Sequence, residues 1–222
     1  MNRSVNILLL VISFPAMFMT IYVGFGLPIL RLETEALENQ VMEYIFLGFA
    51  FFLLLIAGRR AVHRWVGVGM LRKPERFYWS APIGAERKKQ IRLFFIIEAL
   101  VALGFALVCY RLTDKSWPLQ IVYALIFAEQ MIFIFVANNW YRIGISDKAL
   151  VVADREVNVL YFSGLRRVEL HQQTVYFEYI EDLQLFFPVN AIDKNDFSSF
   201  RNALEDKLNR DKVFFSEKFK NH

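Results

Sequence analysis

One cysteine, Cys109, and three histidines, His63, His171 and His222, are all that the chain offers to thiol or soft-metal chemistry. Cys109 sits in an apolar run with no second cysteine to pair with, which excludes an internal disulfide and removes any argument for an oxidising compartment. The histidines are scattered without ligand spacing, so no zinc site is expected within one chain. Missing as well are a phosphate-binding loop, a Gly-x-Ser-x-Gly elbow and a His-Glu-x-x-His helix. Ser163 before Gly164, and His171, read as turn residues rather than as a nucleophile and a base. The expectation is a non-enzymatic protein with no catalytic residue, no metal and no cofactor.

Charge is scarce in four long stretches, Val5 to Phe25, Tyr44 to Ala57, Leu93 to Tyr110 and Trp117 to Ala137. Crossing about 30 Å of hydrocarbon takes roughly 20 apolar residues in a helix. Three stretches approach or reach that length; Tyr44 to Ala57 is shorter, and must borrow its acidic approach from Leu37 to Glu43 or thin the bilayer. The overall 56% of hydrophobic residues, with 23 Phe, exceeds what a soluble domain needs. The first run is longer than a signal-peptide core and has no small-x-small cleavage site, so it reads as a retained span.

Acidic residues are few where basic ones gather. The segment Arg59 to Arg92 has ten Lys or Arg against Glu75 and Glu86, whereas Arg31 to Glu43 has Arg31 against Glu33, Glu35, Glu38 and Glu43. The positive-inside rule then makes 59–92 a cytoplasmic loop and puts both termini in the cytoplasm, in what reads as a bacterial inner membrane. From Tyr141 onward twelve basic residues meet thirteen acidic ones, so the sequence pI of about 9.2 reflects topology and no nucleic acid polymer is expected as a partner. Arg59, Arg60, Arg64, Trp65, Arg72, Lys73 and Trp79 mix cations with interfacial aromatics and are the candidate membrane-surface contacts.

Glu129, followed by Gln130, lies midway along the fourth run. A charge there costs about 2.5–3.5 kcal/mol on insertion scales, so the side chain is expected to face protein or water. Glu98 in the third run differs from it by roughly 7 Å in depth for an antiparallel pair, which suits a bridged or intersubunit network better than direct contact. A protonated Glu129 bonded to backbone, to Gln130 across a subunit interface, or to Ser13 or Thr20 is one reading; a path for ions or protons is a second, and a bound polar ligand or lipid a third. Pro15 and the Gly24, Gly26, Pro28 cluster are able to bend the first helix.

After Asn138-Asn139-Trp140 the pattern becomes period two. Val157, Val159 and Tyr161 alternate with polar neighbours, as do Val168 with Leu170, then Val175, Phe177 and Tyr179, then Leu183, Leu185 and Phe187. Ser146-Asp147-Lys148, Ala153-Asp154-Arg155, Ser163-Gly164, His171 to Thr174 and Glu181-Asp182 supply turns. Pro188 closes the last strand, and Asp193 or Asn195 can cap a helix with Phe197, Phe200, Leu204 and Leu208 on one face. The fold class expected is a membrane α-helical bundle of four transmembrane helices plus a small antiparallel β-meander or barrel capped by a C-terminal helix. Its domains are 1–140 with the basic loop 59–92, the strand domain 141–210, and a tail 211–222 whose Val213, Phe214, Phe215 and Phe219 suit the domain, the membrane or another subunit.

Tyr161-Phe162-Ser163-Gly164-Leu165-Arg166-Arg167-Val168, the later Leu185-Phe186-Phe187-Pro188, and Phe197-Ser198-Ser199-Phe200-Arg201 resemble the bacterial pleckstrin-homology-like, YcxB-like domains. The resemblance covers about a third of the chain and implies a binding or scaffolding module, with no catalytic residue carried over. The leading expectation is thus a non-enzymatic inner-membrane scaffold or adaptor that docks a protein, peptide or lipid headgroup beside the bilayer, within a homo-oligomer or with a membrane-protein partner. A ligand-gated effector, sensing a nucleotide through Arg155, Arg166 and Arg167 and opening the membrane, is the alternative; a transporter or membrane-enzyme subunit is the third.

Overall fold

The computed structural model describes residues 2–27, 35–154, 157–180, 183–208 and 213–220. Pro28, Arg31, Glu33, Arg155, the Glu181-Asp182 turn and His222 lie outside these, as do the side chains of Glu35 and Glu38. Contacts divide the chain into two compact units, Met1–His63 with Phe94–Phe135 and Arg64–Leu93 with Val136–His222.

Four helices, α1 (Asn2–Gly24), α2 (Glu35–Met70), α3 (Ala85–Leu112) and α4 (Trp117–Val136), make up the first unit, except that the end of α2 from Arg64 and the start of α3 as far as Leu93 belong to the second. All four are long and apolar enough to cross a membrane. The helix α2 does not stop where its apolar run does: it continues through Arg59, Arg60 and Arg64 to Met70. No proline interrupts it, and Gly58 alone costs only about 1 kcal/mol against Ala, too little to end a helix of this length. The shortfall expected of Tyr44 to Ala57 as a span therefore disappears. Ala16, Phe46, Ala50, Leu53, Ala106 and Leu119 form the centre of the bundle, and the alanines let the backbones approach. Gly24 goes further, since a Cβ there would stand 2.7 Å from Leu112 Cβ. Outward, Leu10, Phe14 and Phe135 are each at least 70% exposed, the surface that a spanning bundle turns to lipid.

Polar groups in this unit are tied locally. The Thr20 hydroxyl donates to the Ala16 carbonyl at 2.9 Å, and the Ser116 hydroxyl to the Cys109 carbonyl at 2.9 Å. An ion pair joins α2 to α3, where the Arg60 guanidinium grips both carboxylate oxygens of Glu98, with Nη2 to Oε2 at 2.8 Å.

The second unit contains two four-stranded sheets. The first has the order β1-β2-β3-β4, all antiparallel, from β1 (Trp79–Pro82), β2 (Arg142–Ile145), β3 (Ala149–Ala153) and β4 (Val157–Tyr161). The second has the order β7-β6-β5-β8, from β5 (Leu165–His171), β6 (Thr174–Tyr179), β7 (Gln184–Pro188) and β8 (Phe214–Phe215). The meander is therefore open, not a closed barrel. β1 comes from the segment between α2 and α3 that reads in sequence as a basic loop, and it pairs Trp79 with Ile145 and Pro82 with Arg142. β8 comes from the tail and runs parallel to β5.

The helix α5 (Phe197–Lys207) follows β7 and buries Phe197, Phe200, Ala203 and Leu204. Its N-cap is Asp196, without a side-chain cap bond; Asp193 Oδ1 instead accepts from the Asn195 amide at 3.2 Å, closing a local turn, so neither expected cap residue caps the helix. Phe200 is the centre of an aromatic cluster, with ring centroids 5.4 Å from Trp79, 6.1 Å from Phe187 and 6.5 Å from Phe219. Phe219, on the short α6 (Glu217–Lys220), is fully buried beside Phe197 and Phe215, so the tail's Val213, Phe215 and Phe219 pack on the domain.

The strand β4 departs from its expected alternation: Leu160 is buried while Tyr161 is exposed. The cause is that Val157 packs against α2, where a Cβ on Gly67 would meet its side chain at 2.6 Å, so both faces of β4 are used. Leu183, just ahead of β7, is likewise exposed rather than core. Asp154, at the end of β3, is buried and held by Arg87 of α3, with Nε to Oδ1 at 3.0 Å and Nη2 to Oδ2 at 2.5 Å. Nearby, burial raises the phenol of Tyr141 well above its usual range.

Because Phe200 joins α5, β7, β1 and the tail, Phe200→Ala is expected to lower the stability of the strand domain by about 3–5 kcal/mol. Thermal unfolding of the purified full chain in detergent checks this; a change below about 1 kcal/mol would show that the cluster collapses to fill the hole without loss.

Candidate functional site

Adjacent residues on a strand point to opposite faces, so Arg166 and Arg167 would ordinarily be separated by the sheet. The pairing of β5 with β6 shifts register between Leu165, opposite Tyr179, and Arg167, opposite Glu178, which leaves Arg166 as the extra residue of a bulge. Both arginines consequently border one cavity of about 530 Å³, together with Glu178, Tyr179, Gln184 and Phe214.

The cross-strand register explains the remaining walls. Arg167 lies opposite Glu178, and Glu178 opposite Gln184 on β7, whose amide Nε2 donates to Glu178 Oε1 at 3.0 Å. The parallel strand β8 sets Phe214 beside Arg167, and the guanidinium stands 5.0 Å from that ring's centroid. Arg167 Nη2 is 2.7 Å from Glu169 Oε1, so this arginine is oriented by a carboxylate and an aromatic face. Arg166 makes no ion pair among the described residues. The Tyr179 hydroxyl is shielded from water and meets no hydrogen-bond partner among the described residues, and burial pushes its pKa up to about 12, so it stays a protonated donor throughout the physiological range. The site thus offers two guanidinium groups, a phenol donor, an amide and an exposed ring, a set that suits an anionic group next to an apolar one.

The other sequence candidates are dispersed. Trp79 is in β1, its Nε1 donating to Ser199 Oγ at 3.1 Å, with its ring on Phe200. Trp65 packs edge-on against Trp140, and Arg72 stands 5.0 Å from the Trp140 ring centroid. Arg59 and Lys73 are exposed, and Arg64 is half-buried. Arg155 lies outside the described residues. In the helical unit Glu129 is half-buried on α4, Gln130 is buried with its Oε1 lacking a partner, and Glu98 is bound by Arg60. Thr20 spends its hydroxyl on Ala16.

Four contributors were missed in sequence: Glu178, Tyr179 and Gln184, which read only as strand residues, and Phe214 in the tail. Tyr179 was the one open to detection, since a tyrosine on the core face of a strand needs somewhere for its hydroxyl. Among the described residues no group of three or more His, Cys, Asp or Glu comes together as a metal would require. Comparison with family models, curated proteins and solved structures returns no match.

An unpartnered hydroxyl adds nothing to the fold, so Tyr179→Phe is expected to leave the melting temperature of the empty protein unchanged or slightly raised. A loss of about 1 kcal/mol or more would mean that the hydroxyl has a structural partner.

Proposed function

We propose that this chain is a membrane-anchored, non-catalytic docking protein, whose strand domain takes an anionic segment of a partner protein at the bulge of β5. What supports the reading is one observation: a bulge that brings Arg166 and Arg167 to a single cavity beside Phe214 and the Tyr179 hydroxyl. The cavity is bordered by exposed side chains, Arg166, Arg167 and Gln184, and by Phe214, which is more than half exposed. An exposed site suits a group presented by another molecule better than an enclosed nucleotide, which favours docking over ligand gating. Seven antiparallel strands followed by α5 also support the pleckstrin-homology-like reading of the domain.

The orientation follows from the same elements. β1 precedes α3 and β2 follows α4, and the two strands are hydrogen-bonded, so α3 and α4 leave and return to one side of the bilayer. The positive-inside rule assigns that side to the cytoplasm, with both termini there and the cytoplasmic membrane as the location.

Two experiments test this. In nanodiscs of phosphatidylcholine alone, a fluorescent acidic peptide carrying phosphoserine and glutamates should bind the full chain. Arg166→Ala with Arg167→Ala should weaken it about tenfold or more, with a steep salt dependence. Equal binding by wild type and the double variant, or none by either, removes the docking reading. For orientation, the buried Cys109 leaves a clean background for added cysteines. A membrane-impermeant maleimide should label Asn39→Cys in intact cells and Ser163→Cys only after the membrane is opened; the reverse pattern overturns the assignment.

A further inference from the structure

The helical unit contains a second cavity, independent of the docking reading. It is a groove of about 560 Å³ between α1 and α3, with Arg60 of α2 also lining it. Asn6, Arg60 and Glu98 supply the charged and amide groups, while the remaining wall is apolar, Leu9, Leu10, Phe14, Val101 and Phe105 among it, apart from the Ser13 hydroxyl. From Glu98 to Phe105 the helix rises about 10 Å, so the apolar part extends well into the hydrocarbon. Asn6 opens the apolar run of α1, and Arg60 follows closely on the end of that of α2. Asn6 and Arg60 therefore stand close to the depth of lipid headgroups, with Glu98 about one helical turn deeper. Leu10 and Phe14, on the wall, are 70% and 74% exposed, so the groove faces outward to the lipid.

We propose that this groove binds one phosphatidylethanolamine molecule, an acyl chain lying along α1 and α3 and the headgroup seated on Arg60 and Glu98. The charge pattern selects this lipid. The Arg60–Glu98 pair is neutral as a unit but presents one cation and one anion side by side. A guanidinium has five N–H donors, and its grip on Glu98 leaves donors for a phosphate oxygen. The carboxylate, with about four lone-pair sites, keeps acceptors for a primary ammonium. A headgroup with both phosphate and ammonium meets both needs. Phosphatidylcholine has no N–H to give to Glu98, and phosphatidylglycerol has no cation to set against it.

The test is native mass spectrometry of the full chain, released from mixed micelles containing equal dioleoyl phosphatidylethanolamine, phosphatidylcholine and phosphatidylglycerol. One phosphatidylethanolamine adduct per chain should be retained about tenfold over the other two, as expected of one additional charge-assisted hydrogen bond. Glu98→Gln should abolish that preference and raise retention of phosphatidylglycerol, because Arg60 is then released to an anion. Val101→Trp, at an exposed groove position, keeps the polar pair and should lose the adduct by blocking the acyl chain. That variant holds the proposal to account even where changes at the ion pair disturb folding. Equal retention of the three lipids by wild type, or a preference that survives both Glu98→Gln and Val101→Trp, overturns it.

Discussion

The pairing of β1 with β2 is the constraint on which the rest of this molecule depends. Four residues drawn from between two spans are zipped to four residues that follow the last span, and the zipper is continued at both ends by Tyr78 N–H to Ile145 O at 2.8 Å and Ile83 N–H to Tyr141 O at 3.1 Å. Everything from α3 to α4 is thereby a closed excursion, leaving and returning to one side. Closing such a loop costs entropy that rises only slowly with its length, so a few backbone hydrogen bonds and the burial of Ala81, Ile143 and Ile145 suffice to hold it. It also makes the strand domain discontinuous in sequence: its first strand is synthesised before the third and fourth helices, and its last, β8, comes from the extreme tail.

The arginines of 59–92 change meaning in that light. As a sequence they read as a positive-inside signal, a sum in which any basic residue serves. In the fold they have separate occupations: Arg60 holds Glu98 across two helices, Arg87 forks onto the buried Asp154, Arg92 donates to Asn138 at 2.6 Å, and Arg72 lies over Trp140. A lysine in place of Arg60 or Arg87 would preserve the topological sum yet lose the two-pronged geometry. Arg59, Lys73, Arg76 and Lys89 of the same segment are exposed.

The spans were legible because hydropathy over some 20 residues is a strong signal, and α5 because Phe197, Phe200 and Leu204 repeat with helical period. What escaped was whatever depends on a partner distant in the chain. Trp79-Ser80-Ala81-Pro82 has no alternation to mark it as a strand, and ends in a proline; it is a strand because Ile145 and its neighbours are there to pair with. Glu98 reads in sequence as part of a bridged or intersubunit network; its partner Arg60 reads as a loop residue because hydropathy stops at Ala57, whereas helix propensity does not. The candidate site was half visible. Arg166 and Arg167 stood out by charge, but period-two reasoning separates them onto opposite faces, and the bulge that reunites them has no glycine to announce it.

The two cavities share one chemical device. In each, a carboxylate on the same unit, Glu98 for Arg60 and Glu169 for Arg167, occupies part of a guanidinium and fixes its plane while leaving other N–H groups to spare. Such an arginine attracts anions less strongly than a naked one, because its charge is already met; what it gains is a defined direction for the donors that are left. Sites of this kind trade affinity for selectivity by shape. That trade would suit the two proposed roles, since lipid in a bilayer is always at high local concentration and a partner held at the same surface would meet the strand domain at an effective concentration far above its average in solution. Weak, well-oriented contacts are then sufficient for occupancy, and the membrane itself supplies the remainder of the binding free energy.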